Sequence, residues 1–138
     1  QYFIFKIKKY LIWLKKLMAK FSELKDIIVT TLDNNKASNI ITIDLEGKST
    51  IADFMIIASG TSSRHIQSLS EQVLEELKRQ GIKDSKIEGR DSNDWKLVDG
   101  IDLIIHIFNP EKRKFYELEK IWSELIPKEK VIVWRTIY

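Results

Sequence analysis

The chain has 138 residues, enough for one domain with a hydrophobic core, and no linker-like stretch divides it. It contains no cysteine, which excludes disulfides, thiolate metal sites and thiol catalysis. Five of its 23 basic residues lie in residues 1–17, so the remainder has 18 basic against 20 acidic residues and lacks the clustered basic face that nonspecific nucleic-acid binding needs.

Residues 1–17 mix apolar residues with lysines, and three interpretations stay open. An amphipathic helix on a membrane surface is one, although the lysines exclude a spanning helix of about 20 apolar residues. A transit peptide is another, although such peptides are rich in Arg and Ser and this stretch has neither. We favour the third, in which Met18 is the natural start and residues 1–17 are an extension outside the core, with no membrane partner.

The first part of the chain is predicted to form a helix and two strands. Apolar residues at helical spacing predict a helix over residues 20–35, with Ser22 as its N-cap. Residues 40–45 have the composition of a strand. Residues 54–58 are a continuous apolar run, which is typical of a central strand.

The middle of the chain is predicted to hold a second helix and a β-hairpin. An amphipathic stripe follows the turn at residues 59–63, and Gly81 lies where a C-terminal cap belongs. Residues 86–89 have the pattern of a short edge strand. The pair Asp99-Gly100 between two β-rich runs is a strong hairpin signal.

The two arms of this hairpin differ in their expected burial. Residues 103–108 are almost continuously apolar, which is typical of a strand buried on both faces. In the first arm, Trp95, Leu97 and Asp99 alternate with the two residues between them, so one face can reach solvent or a partner.

A third helix is predicted near the end of the chain. Asn109 is its N-cap, Pro110 takes its first position, and Pro127 ends it. The tail at residues 131–138 has strand-like composition, and the sequence leaves its pairing open. The order of helices and strands predicts a single α/β domain with a mixed β-sheet packed by helices.

The turn formed by Gly60, Thr61, Ser62 and Ser63 lies between a buried strand and a helix. Such a turn can bind an anion, because free backbone N–H groups and the positive end of the helix dipole converge there. It is not a P-loop, since the lysine of that motif is missing. We favour a simpler interpretation, a tight turn in which Ser62 or Thr61 caps the helix.

An enzyme acting at this turn would need clustered carboxylates to hold magnesium. Asp94, Asp99 and Asp102 are the candidates, but no Asp-x-Asp pair lies on a strand. His106 could act as a general base, although a hydrogen-bonded core histidine is commoner. His65 is the only other histidine, and no zinc-ligand spacing exists. We therefore predict no catalytic residue, no metal and no cofactor.

Trp95 is the aromatic residue best suited to a partner. It follows a polar loop and lies between Asp94 and Lys96, so we expect it to be partly exposed. Tryptophan is enriched at the energetic centre of protein interfaces. Glu119 on the third helix and Asp99 at the hairpin could meet a basic partner, although exposed charges usually contribute little.

Four sequence blocks occur in a characteristic order. They are GKSTIAD at residues 47–53, ASGTSSRH at 58–65, DWKLVD at 94–99 and FYELEKIW at 115–122, with His106 between the last two. With them the chain resembles the ribosomal silencing factor, or Iojap, family over residues 40–122. Residues 1–17 and the segment after Glu124 fall outside the resemblance. We expect the domain to span residues 18–125, with residues 126–138 as a tail whose role the sequence does not assign.

The resemblance implies a nucleotidyltransferase-like (Iojap) fold without catalysis, usually in a homodimer. It implies a cytoplasmic bacterial protein, or an organellar relative, that binds the large ribosomal subunit through ribosomal protein number fourteen. Such a protein blocks association with the small subunit and represses translation under nutrient limitation. The contact is with the basic ribosomal protein, with no direct sequence-specific nucleic acid. The alternative is a nucleotidyltransferase-like enzyme that binds a nucleotide at residues 60–63.

The resemblance also implies partner-binding residues. The family's partner-facing tryptophan and aspartate match Trp95 and Asp99, and Leu97 lies between them in the same block. Tyr116 and Glu119 match the family's Tyr-x-Leu-Glu block. The expected surface therefore combines the first arm of the hairpin with the helix that follows it.

Overall fold

The computed structural model describes the backbone of residues 2–45, 52–116 and 131–135, and the side chains of residues 3–14, 23–45 and 52–113. These ranges hold three helices and six strands. In chain order they are α1 (Tyr2–Asn34), β1 (Ser38–Asp44), β2 (Phe54–Ser59), α2 (Ser63–Arg79), β3 (Lys86–Glu88), β4 (Trp95–Asp99), β5 (Leu103–Phe108), α3 (Pro110–Tyr116) and β6 (Val131–Arg135).

The strands form one sheet in the order β3-β4-β5-β2-β1-β6. β2 and β5 are parallel, with Ile57 opposite His106, and the other neighbours are antiparallel. The parallel pair arises because α2, β3 and β4 intervene in the chain between β2 and β5. The predicted α/β domain with a mixed sheet packed by helices is confirmed.

α1 and α2 cover one face of the sheet and bury the main core. Side chains alternate along each strand, so every second residue points toward these helices. Full burial of one large aliphatic side chain stabilises the fold by roughly 1.5–3 kcal/mol. The buried residues of this cluster are Leu24, Ile28, Val29, Leu32, Ala37, Ile40, Ile56, Ala58, Ile66, Leu69, Val73, Leu77, Ile87, Val98, Leu103, Ile105 and Ile107.

The second face of the sheet carries a smaller apolar cluster. It is well buried on β1 and β2, whereas the β4 side chains on this face are only half-buried. The accessible part of the second face therefore lies at β4 and at Ile104 and His106 of the neighbouring β5. The buried residues of this cluster are Ile43, Leu45, Met55, Ile57 and Phe108, with Ile41 and Trp95 packed against them.

α1 begins much earlier than the sequence predicts. The helix runs without interruption from Tyr2 to Asn34, so the prediction of Ser22 as its N-cap is wrong. No Gly, Pro, Asn or Asp occurs before Ser22, so nothing there breaks the helix and the cap signal has no effect. Within the described residues, no helix is long and apolar enough to cross a membrane.

Three other predicted helix ends agree with the structure. Ser62 Oγ accepts a hydrogen bond from the backbone N–H three residues later at 3.1 Å, which makes it the N-cap of α2. Asn109 Oδ1 accepts in the same way at 2.8 Å, and Pro110 is the first residue of α3. Gly81 follows α2 with a φ of 98°, the left-handed conformation that glycine adopts at helix ends.

The hairpin is present, with a longer turn than the Asp-Gly pair suggests. β4 ends at Asp99 and β5 begins at Leu103, and the positive φ of 74° falls on Ile101. Gly100 serves a different purpose, because a Cβ there would lie 3.2 Å from the Leu77 methyl carbons and 3.0 Å from the carbonyl oxygen of Leu103. The glycine lets the turn pack closely against α2.

The C-terminal tail contributes a strand to the sheet. The sequence leaves its pairing open, and the structure shows β6 antiparallel to β1, with Ile43 opposite Val131. The predicted apolar face of the third helix lies outside the described side chains. Its predicted end at Pro127 lies outside the described residues.

Candidate functional site

Three residues of β4 line the accessible part of the second sheet face, beside Ile104 and His106 of β5. Trp95, Leu97 and Asp99 are half-buried, while Lys96 and Val98 between them are buried. Because side chains alternate along a strand, neighbours in this row are about 7 Å apart and the row spans about 13 Å. We call Trp95, Leu97 and Asp99 the β4 stripe. The structure thus brings three of the predicted partner-binding residues together on one surface.

The indole of Trp95 is held from two sides. Its Nε1 donates to Nδ1 of His106 at 3.2 Å, and the two rings stack with centroids 6.2 Å apart. The Phe108 ring, directly opposite in the ladder, lies 6.3 Å away. Gly89 leaves room for the indole, because a Cβ at that position would lie 3.0 Å from two of its ring carbons. A side chain fixed in this way loses little entropy when a partner binds.

His106 stays neutral at physiological pH. Burial lowers its pKa from 6.5 to about 4, because the charged imidazolium would lose hydration. Since Nδ1 accepts the indole N–H, the ring proton is assigned to Nε2. The prediction of a hydrogen-bonded histidine is confirmed, although the residue is half-buried rather than enclosed. Its Nδ1 lone pair is occupied, which leaves that nitrogen unsuited to general-base chemistry.

A buried lysine ties down the loop that precedes β4. Lys96 is 2% exposed, and its Nζ donates to the carbonyl oxygens of Gly89 at 2.8 Å, Arg90 at 2.7 Å and also Ser92. Ser92 Oγ in turn accepts from the backbone N–H of Trp95 at 3.2 Å. The three ammonium protons thus meet three carbonyls, which offsets the cost of burying the charge. The sequence gives only one hint of this role, a lysine at an inward position of an alternating strand.

Two hydrogen bonds join the residue before β4 to the residue after β5. The Asn109 backbone N–H donates to the Asp94 carbonyl at 2.9 Å, and Asn109 Nδ2 donates to Asp94 Oδ1 at 2.6 Å.

The aspartates of this region do not form a metal site. Asp94 immediately precedes the five-residue strand β4, and Asp99 is its last residue. They lie about 16 Å apart and cannot share one metal ion. Among the side chains described, no group of three or more His, Cys, Asp or Glu could hold a metal.

Asp99 shapes the turn at the other end of the β4 stripe. Its Oδ1 accepts from the backbone N–H of Ile101 at 2.9 Å. Asp53 and Asp102 lie at the same end of the sheet, where the Asp53 backbone N–H donates to the Asp102 carbonyl at 2.9 Å. Asp44 ends β1 at this edge as well. Four partly exposed aspartates therefore lie at this end of the sheet, and Asp99 is the one on the stripe.

The turn at residues 60–63 lies at the opposite end of the sheet and is closed by its own hydrogen bonds. The Thr61 backbone N–H donates to Nδ1 of His65 at 2.9 Å, and the Gly60 N–H donates to a carbonyl of β5 at 2.9 Å. Ser62 caps α2, as predicted. Two N–H groups that an anion would need are thus already engaged. The closing role of His65 has no signal in the sequence.

α3 is anchored at this same end. Arg113 is 8% exposed, and its Nη1 donates to Oγ of Ser59 at 2.8 Å. Tyr116 is the last residue of α3, and only its backbone is described. Glu119 lies outside the described residues. A role for Tyr116 or Glu119 in binding therefore stays a prediction.

Known proteins of one family share this fold and sequence. A crystal structure of a protein from Chromobacterium violaceum, 31% identical in sequence, superposes with a TM-score of 0.70 and covers 74% of this chain and 85% of that one. The ribosomal silencing factor RsfS of Zymomonas mobilis is 46% identical over 97 residues, which are 70% of this chain and 73% of that protein. The mouse protein named mitochondrial assembly of ribosomal large subunit protein 1 is 35% identical over 101 residues, or 71% of this chain and 44% of that protein.

A family model described as "Ribosomal silencing factor during starvation" matches residues 18–135. The match extends beyond residues 40–122, on which the resemblance rests, and it includes β6. The family model, the identity with these relatives and the shared fold together show that the chain belongs to the ribosomal silencing factor family.

Proposed function

We propose that this protein binds the large ribosomal subunit through ribosomal protein number fourteen, blocks association with the small subunit and so represses translation under nutrient limitation. Membership of the silencing factor family supports a ribosomal role. The name of the mouse relative links a member of the same family to the large subunit. Exclusion of the small subunit is steric and needs no catalytic residue, cofactor or metal.

The observation that carries this proposal is the fixed and half-exposed indole of Trp95. His106 and Phe108 hold the ring on the open side of the sheet, so its orientation is set before any partner arrives. Leu97 and Asp99 continue the same row with an apolar and a charged side chain. A rigid aromatic anchor with such neighbours is typical of the energetic centre of a protein interface.

The charge of the neighbouring surface favours a basic partner. Asp99 lies at one end of the β4 stripe with Lys86 opposite it in the ladder, and Asp53 and Asp102 lie at the same end of the sheet. Their carboxylates would attract a basic ribosomal protein and repel the phosphates of ribosomal RNA. The stripe therefore suits the protein component of the subunit better than its RNA.

Tyr116 and Glu119 would extend this surface from the third helix. α3 begins beside the stripe, because Asn109 is bonded to Asp94, the residue immediately before Trp95. On the family resemblance we further propose that the protein acts as a homodimer, in the bacterial cytoplasm or in an organelle.

Two assays with purified ribosomal subunits test the proposal. Cosedimentation measures binding to the large subunit, and light scattering measures joining of the two subunits. The Trp95→Ala protein should bind about 30-fold more weakly, since loss of a central interface aromatic costs about 2 kcal/mol, and should no longer block joining. Gln72→Ala is the matched control, because Gln72 is exposed on α2, which packs against the other sheet face.

Two results would contradict the proposal in different ways. Undiminished binding by a folded Trp95→Ala protein, with folding checked by thermal unfolding, would remove the β4 stripe from the interface. Unaltered subunit joining in the presence of the wild-type protein would remove the silencing function itself.

The nucleotidyltransferase-like alternative is less well supported. The N–H groups of Gly60 and Thr61 are bonded within the protein, and Asp94 and Asp99 lie at opposite ends of β4. We expect calorimetry with magnesium and nucleoside triphosphates to show no binding at the turn. Tight binding would favour the enzyme.

A further inference from the structure

The first turns of α1 carry an extensive exposed apolar surface. All but one of the large apolar residues that the described structure leaves exposed lie in this segment, the exception being Ile101 at the hairpin turn. Contiguous exposed apolar surface of this kind marks an interaction site. The exposed residues are Phe3, Ile4, Phe5, Ile7, Tyr10, Leu11, Ile12 and Trp13.

Five of these residues share one apolar side of the helix, and they are Phe3, Ile4, Ile7, Tyr10 and Leu11. Phe5, Ile12 and Trp13 lie on the other side. Ile4, Ile7 and Leu11 are three and four residues apart, so they form one row along the helix. Lys9 lies on the opposite side and Lys8 on the flank, at the 100° per residue of an α-helix. The apolar row therefore faces away from Lys9, whose Nζ lies 5.7 Å from the ring centroid of Phe5 on the other side of the helix.

The charge of the segment decides between candidate partners. Residues 1–17 hold five lysines and no acidic residue. A second copy of the helix would bring like charges together, with no carboxylate in the segment to pair with them. An RNA partner would neutralise the lysines but would leave the apolar row in water. An anionic lipid surface meets both needs, because its acyl chains bury the apolar row and its negatively charged headgroups neutralise the lysines.

Two aromatic residues at the end of this surface support a lipid partner. Tyr10 and Trp13 are both exposed, and their rings stack with centroids 6.1 Å apart. Tyrosine and tryptophan are enriched at the boundary between headgroups and acyl chains, because each combines an apolar ring with a polar group. With the apolar row facing the bilayer, Tyr10 would lie at that boundary, and Trp13 would lie beside it toward the side of the helix that carries Lys9.

We propose that residues 3–14 of α1 bind along the surface of an anionic lipid bilayer. The proposal departs from the expectation of no membrane partner, because the structure makes the segment a helix whose apolar side chains are exposed. It does not depend on the proposed ribosomal function, since the family model matches residues 18–135 and this surface precedes them.

Flotation of the full chain with lipid vesicles tests the proposal. Vesicles of phosphatidylcholine mixed with an equal amount of phosphatidylglycerol should bind the protein at least about tenfold more tightly than phosphatidylcholine alone, given the attraction of each lysine to an anionic surface. The double substitution Ile7→Ser with Leu11→Ser should abolish binding. Wild-type tryptophan emission should shift to the blue with vesicles, and Trp13→Phe should remove the shift.

A matched pair of charge variants separates local from overall charge. Replacing Lys8 and Lys9 by serine should weaken binding to anionic vesicles on the order of tenfold. Replacing Lys78 and Lys83, which are exposed elsewhere, removes the same charge and should have no effect. Equal losses in the two pairs would overturn the proposal. Vesicle binding that survives the Ile7 and Leu11 substitutions would also overturn it. So would the failure of the wild-type chain to bind anionic vesicles, whether or not it self-associates or binds RNA through this helix.

Discussion

The indole N–H of Trp95 donates to Nδ1 of His106 at 3.2 Å, so the position of this half-buried indole depends on the protonation of its half-buried neighbour. Only an unprotonated Nδ1 can accept this hydrogen bond, since the imidazolium ring presents donors at both nitrogens. The low pKa of His106, about 4, keeps the acceptor available at physiological pH. The orientation of Trp95 is therefore insensitive to pH changes near neutrality.

Stability should fall as the pH decreases from 6.5 to about 4. The pKa of His106 is about 4 in the folded protein against an ordinary value of 6.5, so in this interval the unfolded chain binds more protons and the free energy of unfolding rises with pH. The contribution is on the order of 1–3 kcal/mol. Urea unfolding of wild type and His106→Gln across this interval measures it, and the variant should lose that part of the slope. Parallel curves for the two proteins would contradict the prediction.

Asp99→Asn should separate the charge of Asp99 from its structural role. The amide oxygen of asparagine can still accept from the Ile101 N–H, so the free energy of unfolding should change by less than about 0.5 kcal/mol. Asp99→Ala leaves that N–H without its acceptor and should cost about 1 kcal/mol. Both variants should bind the large subunit more weakly, with a reduced dependence of affinity on salt. Wild-type affinity and salt dependence in Asp99→Asn would show that the charge has no role in binding.

Sequence periodicity finds the β4 stripe but not what holds it. The alternation of Trp95, Leu97 and Asp99 predicts their shared face, because strand side chains alternate whatever surrounds them. Lys96 is different. Its burial depends on three carbonyls of a loop whose path is set by tertiary packing. From the sequence alone the side chain is therefore expected to be exposed, because lysine is rarely buried without partners.

The turn of the hairpin shows the same limit. The pair Asp99-Gly100 correctly predicts the hairpin, yet the left-handed residue is Ile101. Gly100 is required by its contact with Leu77 on α2, a residue distant in the chain. Local turn preferences cannot anticipate a contact between distant segments. The binding roles of Tyr116 and Glu119 rest on the resemblance alone for a similar reason, since no local pattern assigns a partner.

Lys96→Met should destabilise the protein by about 1–3 kcal/mol, because the carbonyls of Gly89, Arg90 and Ser92 lose a shared donor inside the protein. Urea unfolding measures the change, and hydrogen exchange should show faster opening of the loop before β4. Lys86→Met on exposed β3 is the control and should change the free energy of unfolding by no more than about 0.5 kcal/mol. Equal effects at Lys86 and Lys96 would mean that the buried contacts contribute nothing.

Ile101→Asn should stabilise the protein by about 0.5–1 kcal/mol. Ile101 has a φ of 74°, a left-handed conformation that a β-branched residue adopts only with strain and that asparagine tolerates better. The side chain is 52% exposed, so the substitution removes little buried apolar surface. Thermal unfolding should show a higher midpoint for the variant. A lower midpoint would mean that the isoleucine side chain packs more strongly than its exposure indicates.

Gly89→Ala and Gly81→Ala form a matched pair that isolates the support beneath Trp95. Both glycines have positive φ, 77° and 98°, so alanine should cost about 1–2 kcal/mol of backbone strain at either position. A Cβ at Gly81 meets nothing within 4 Å, whereas a Cβ at Gly89 lies 3.0 Å from the indole ring. Urea unfolding should therefore show a larger loss for Gly89→Ala than for Gly81→Ala, and only Gly89→Ala should displace Trp95 from His106 and weaken cosedimentation with the large subunit. Equal binding by the two variants would show that the position of the indole does not control the interface.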